Sequence, residues 1–249
     1  MLANLKLYIL LEFYIWKRYV NAKVKTRWCC NYLPAYVAKA FTLAEVLITL
    51  LIIGIVASII IPGLIADTQE QEFKVAWKKS YAEINQAINL VIHDNGGTLA
   101  NMCGTYNTGC IVNTFRQYLN TTQICPSNEN NICMQTPKLL SGNSFSAVDS
   151  NVINSSASSV FKLTNGALVL IRWHAGDCAF TFNNNKCGWI MVDVNGYKGP
   201  NVIGRDVYSI SILPNRILPY GADGAYNEGV NDCNPQENGK SCAFIYLYQ

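Results

Sequence analysis

The sequence predicts an α+β fold in which a long N-terminal helix, apolar in its first half, lays its second half on a mostly antiparallel β-sheet. Three observations carry this expectation. Residues 41–61 hold one ionisable side chain, Glu45, and apolar residues on every helical face. Beyond Pro62, Phe73, Trp77, Tyr81, Ile84, Ile88 and Val91 recur at intervals of three and four, while Lys74, Lys78, Lys79, Glu83 and Asn85 fall largely elsewhere. From residue 159 onward, short β-branched and aromatic runs are separated by Asn- and Gly-rich turns.

Residues 1–40 hold seven Lys/Arg and one acid, and residues 41–249 hold twelve Lys/Arg and fifteen acids. The basic charge thus belongs to the leader. Lys17, Arg18, Lys23, Lys25, Arg27 and Lys39 precede the apolar run and place its N-terminal side in the cytoplasm. Everything past residue 64 is then exported, and its acidic balance gives no bulk attraction for nucleic acid. Residues 1–40 are expected to be a leader removed on processing. A downstream start, with Val24 as one candidate, is the alternative. No small-residue cleavage motif follows the apolar core, as a secretory signal peptide would require.

The apolar run, 41–64, is long enough to cross a bilayer. Glu45 within it costs roughly 2–3 kcal/mol on insertion scales, so a partner or role is expected. Locally, Thr42 and Glu45 fit a capping box, with Phe41 and Val46 placed as its hydrophobic staple. Pro62 lacks a backbone donor and predicts a kink or loosened turn over 58–62. The amphipathic continuation, 65–94, ends at Asn95-Gly96-Gly97.

The remainder, 95–249, suits one modest globular domain. Residues 98–158 are rich in Asn, Thr and Ser and offer one short helical candidate at 111–119. Strands are expected at 159–163 and 167–173 around Asn165-Gly166, at 179–182 and 188–194 around a second turn, and at 206–213 and 243–248.

Eight cysteines lie beyond the apolar run: Cys103, Cys110, Cys125, Cys133, Cys178, Cys187, Cys233 and Cys242. Export favours their oxidation, and pairing within four sequence-local couples is the simplest of the 105 connectivities. Zinc is the weaker reading, since no CxxC occurs and His174 is the sole histidine nearby. Asp193, Asn195 and Asp206, in DVNGYKGPNVIGRD, are candidate oxygen ligands for calcium, although Asn-Gly and Gly-Pro make turns without metal. Two histidines and the absence of GxSxG, P-loop and HExxH motifs give no catalytic constellation, so the chain is read as structural rather than enzymatic.

Phe41, Thr42, Leu43, Glu45, Val46, Leu47 and Pro62 together resemble the N-terminal signal of type IV pilins and type II secretion pseudopilins. The residue before the junction is Ala40, where that family usually has Gly. The resemblance implies cutting between Ala40 and Phe41 by a prepilin peptidase, N-methylation of Phe41, and a pilin fold. It assigns Glu45 to the Phe41 amine of a neighbouring subunit and Pro62 to close helix packing. It implies a precursor in the bacterial inner membrane and a mature subunit in a periplasmic or extracellular filament. The expected partners are copies of itself, other pilins and an inner-membrane assembly platform. It favours Cys233 and Cys242 as a surface-loop disulfide. Alternatives are a minor tip pilin acting in adhesion or DNA uptake, and an anchored exported domain that does not polymerise.

Overall fold

A computed structural model describes residues 42–125, 133–145, 153, 155, 157–180, 186–226 and 229–248. Ala40 and Phe41 lie outside the described residues. The chain divides into two compact units, Met1–Gly54 and Ile55–Gln249.

Helix α1 covers Leu43–Asp94, 52 residues with Pro62 inside it. Its start is fixed in the first unit, where Thr42 and Glu45 form the expected reciprocal cap. In the second unit the helix buries Trp77, Ser80, Ile84, Ala87, Ile88, Val91 and Ile92, and Phe73 and Tyr81 pack at the margin of the core. All six residues of the expected stripe therefore meet the core. The helix ends where Gly96 and Gly97 take φ of +76° and +94°, and Gly97 N–H donates to the Ile92 carbonyl at 2.8 Å. This is the left-handed C-terminal cap that glycine supplies without steric cost.

Six strands form one meander: β1 (Thr121–Ile124), β2 (Ser158–Leu163), β3 (Leu168–Trp173), β4 (Gly188–Asp193), β5 (Val207–Ile212) and β6 (Ile217–Pro219). Each strand pairs antiparallel with the next. Between β2 and β3, Gly166 takes φ +95° and Leu163 N–H donates to the Ala167 carbonyl. The result is the expected hairpin with a three-residue turn.

The period-two alternation of the strands feeds two cores. Phe161, Val169, Ile171, Trp173, Ile190, Val192, Tyr208, Ile210 and Ile212 face the helix. Val160, Leu168, Leu170, Met191 and Val207 face the other way, under Cys125, Cys133, Met134, Ile153 and Ile203. The central strands are buried on both faces, which explains why they read as nearly unbroken apolar runs.

Three expectations need correction. The strand expected at 243–248 is helix α3 (Cys242–Tyr248). The flank of β5 is already taken by β6, whose Leu218 pairs with Ser211. Helical spacing instead turns Ala243, Tyr246 and Leu247 onto the core, and the Trp77 indole N–H donates to the Ala243 carbonyl at 2.9 Å. At 179–182 the described residues make only an isolated bridge, Phe180 to Lys186. The short helix expected at 111–119 is α2 (Thr108–Phe115), started by Asn107, whose side chain accepts from Cys110 N–H; residues beyond Arg116 form turns.

All four local cysteine couples are disulfides: Cys103–Cys110, Cys125–Cys133, Cys178–Cys187 and Cys233–Cys242. In the chain-entropy account, closing loops this short contributes about 2–3 kcal/mol each.

Candidate functional site

The most unusual surface is that of α1 before the globular core. Between Leu43 and Ile65, the large apolar side chains Leu43, Val46, Leu47, Ile48, Leu50, Leu51, Ile52, Ile53, Ile55, Val56, Ile59, Ile61, Leu64 and Ile65 are all exposed. Among the described residues one helix is long and apolar enough to cross a membrane, and its most apolar window has none of its residues buried. An apolar surface of this extent marks a contact with lipid or protein.

Within that surface the polar groups are few and locally satisfied. Thr42 donates to Glu45 Oε2 through both its N–H and its Oγ1, each at 2.9 Å, and Glu45 N–H donates to Thr42 Oγ1 at 3.2 Å. Both bonds to the carboxylate fall on Oε2, leaving Oε1 for another donor. Thr49 and Ser58 return their hydroxyls to the carbonyls of Val46 and Ile55. That back-bonding is how hydroxyls are accommodated in an apolar helix. Pro62 leaves the Ser58 carbonyl without its usual N–H partner.

Asp193 ends β4 and Asp206 precedes β5, and the pairing of those strands brings the two carboxyls together with Asn195. Both aspartates are buried. Asp193 Oδ1 accepts from Asn195 and Gly196 N–H at 3.2 and 3.0 Å. Asp206 accepts from Asn201 N–H through Oδ2 and from Val202 N–H through Oδ1, at 2.8 and 2.7 Å. The Asn195 amide nitrogen donates to the Gly199 carbonyl at 3.0 Å, and its side chain also hydrogen-bonds Asp206. Burial, and then the charge of Asp206, pushes the Asp193 carboxyl up to about 8. Burial also raises Asp206, against the pull of its backbone donors.

Asp193, Asn195 and Asp206 by themselves fall short of a calcium shell, although Asn195 Oδ1 is buried with no hydrogen-bond partner among the described residues. Calcium takes six to eight oxygens. Here three of the four carboxylate oxygens already receive backbone N–H groups, and Asn195 turns its NH₂ toward Asp206. No group of three or more His, Cys, Asp or Glu is placed to hold a metal among the described residues. The three residues brace two consecutive turns.

His174 and Cys178 do not form a nucleophile and base. Cys178 is bonded to Cys187, while the His174 ring stacks on Phe180 at 4.5 Å. Burial, and then Arg172, lowers the His174 imidazole to about 4.

The Cys233–Cys242 loop packs against the turn after Pro200, where Gly239 lies against the Ile203 carbonyl and Gly204 against Gly239. Gly239 N–H donates to the Asp232 carbonyl, and Ser241 N–H donates to Asp232 Oδ1 at 2.7 Å. Sequence reasoning did not single out Asp232; its acceptor role depends on a loop closure that becomes visible only in three dimensions.

Scanning the chain against protein-family models gives no match, and searches of curated proteins and of solved structures give none either.

Proposed function

We propose that the chain is a pilin-like structural subunit. It is made as a membrane precursor, cut between Ala40 and Phe41 by a prepilin peptidase, and assembled through residues 41–64 into a type IV pilus or type II secretion filament. One observation carries this reading: the apolar surface over residues 43–65 has no cover among the described residues. Such a helix needs lipid before assembly, and lipid or like helices after it.

The resemblance of Phe41, Thr42, Leu43, Glu45, Val46, Leu47 and Pro62 to a pilin N-terminus selects like helices. Glu45 suits both of its expected roles. Its Oε2 caps the helix, and its Oε1 has room for the Phe41 amine of a neighbour. The disulfide-tied domain would be the part displayed along the filament.

Mass spectrometry of the mature N-terminus tests the proposal. A chain that begins at Phe41 and carries one added methyl supports it. A chain that begins after Ile61, as a signal peptidase would leave it, overturns it.

A further inference from the structure

A shallow, largely open depression of about 500 Å³ lies on the globular unit where the end of α2, the start of β1 and the β2–β3 turn converge. Its polar lining is Asn113, Arg116, Gln117, Asn120, Thr121 and Thr164, with Leu119 the one apolar contributor. Asn113 on the last turn of α2, with Arg116 and Gln117 in the turn that follows it, forms one side. The opposite side is tied to it by Thr164 N–H, which donates to the Asn120 carbonyl at 3.0 Å.

Two properties define what this depression would recognise. Its lining carries a single charge, the Arg116 guanidinium, and no acid. The side chains of Asn113, Arg116, Gln117 and Asn120 make no hydrogen bond or ion pair with the described residues. Three exposed amides, each both donor and acceptor, therefore share this depression with a planar cation that has no ion-pair partner among the described residues.

We propose that this depression binds an acidic saccharide of hexuronate type. The ring carboxylate would meet Arg116 in a paired hydrogen bond, and the hydroxyls would exchange hydrogen bonds with the amides of Asn113, Gln117 and Asn120. A volume of about 500 Å³ accommodates a small ligand of one or two rings. A phosphate dianion would call for more than one cation or a backbone N–H nest, and the lining has neither. A lipid or apolar peptide would call for apolar walls. The proposal stands whether or not the chain polymerises.

The test uses the full-length chain in detergent micelles, titrated with glucuronate and galacturonate and, as controls, with glucose and glutamate. Saturable uronate binding is expected at a Kd of about 1 mM, with glucose weaker by about tenfold because it lacks the carboxylate. Arg116→Gln reduces uronate affinity to the glucose level and leaves glucose binding unchanged. Asn113→Ala with Gln117→Ala weakens both sugars. These side chains are exposed or unpartnered, so the variants keep the wild-type melting temperature. Three outcomes overturn the proposal: no saturable uronate binding in the millimolar range, wild-type uronate affinity in Arg116→Gln, or glutamate binding as tightly as the uronates.

Discussion

Two residues held far from their ordinary protonation give the globular unit a definite pH profile. The Asp193 carboxyl titrates at about 8 in the fold, against about 3.9 in an unfolded chain. Between those values the folded protein holds a proton that the unfolded chain has released, so stability falls as pH rises. His174 works in the opposite sense. Its imidazole titrates at about 4 in the fold and at about 6.5 when unfolded, so stability falls as pH drops through that interval. The two slopes oppose one another between pH 4 and 6.5; above 6.5 the histidine slope is gone and that of the buried aspartates remains, Asp206 being shifted in the same sense as Asp193. Melting temperatures should therefore decline from pH 6.5 to 8. Asp193→Asn keeps an Oδ1 for the Asn195 and Gly196 N–H groups while removing the proton, so it should flatten that decline. An unchanged slope in this variant would assign the titration to Asp206 or another group and not to Asp193.

At the scale of elements, the close approach of two backbones sets the C-terminal architecture. Gly239 takes φ +80°, and a Cβ there would come within 2.6 Å of the Ile203 carbonyl. Gly204, at φ +81°, meets Gly239 and the Cys242 sulfur from the facing side. Gly239→Ala combines a left-handed backbone with a backbone clash, so a loss of about 2 kcal/mol or more is expected. For a domain of this size that is a fall of roughly 4–8 °C in melting temperature. Gly142→Ala, at φ +83° with open space around it, isolates the backbone strain alone and should cost less. The sequence made the long helix legible because its stripe persisted for five turns, and the β2–β3 hairpin legible because Asn-Gly marked it. It did not reveal α3. Six residues, AFIYLY, satisfy a strand by composition and a helix by spacing, and the choice rests on the occupied β5 edge and the Trp77 bond to Ala243. β6 was hidden for a related reason, being three residues ending in a proline that only an edge position tolerates. The second core was hidden because Met134, Ile153 and Ile203 are scattered through Asn- and Ser-rich segments with no period. At the candidate sites, the Thr42–Glu45 cap was written in a local motif. The amide-lined depression joins Asn113 to Thr164 across 51 positions and has no linear signature.

For the molecule as a whole, the decisive question is what Glu45 does in an otherwise apolar helix, because capping and assembly make different demands on it. Glutamine at this position preserves the cap, since its side-chain oxygen can still accept from Thr42. It removes the charge, and with it the attraction for a neighbour's protonated amine. If the carboxylate serves only the helix start, Glu45→Gln should match the wild type in every respect. If it pairs with the Phe41 amine during assembly, the variant should remain in the membrane fraction, helped by the lower cost of burying an uncharged side chain. It should then disappear from the sheared or sedimented filament fraction. Glu45→Ala should behave like the glutamine variant in that assay, while also fraying the first turn by removing the cap, worth about 1 kcal/mol. Filaments at wild-type yield from Glu45→Gln would sink the assembly role and leave the exposed apolar helix as a membrane anchor.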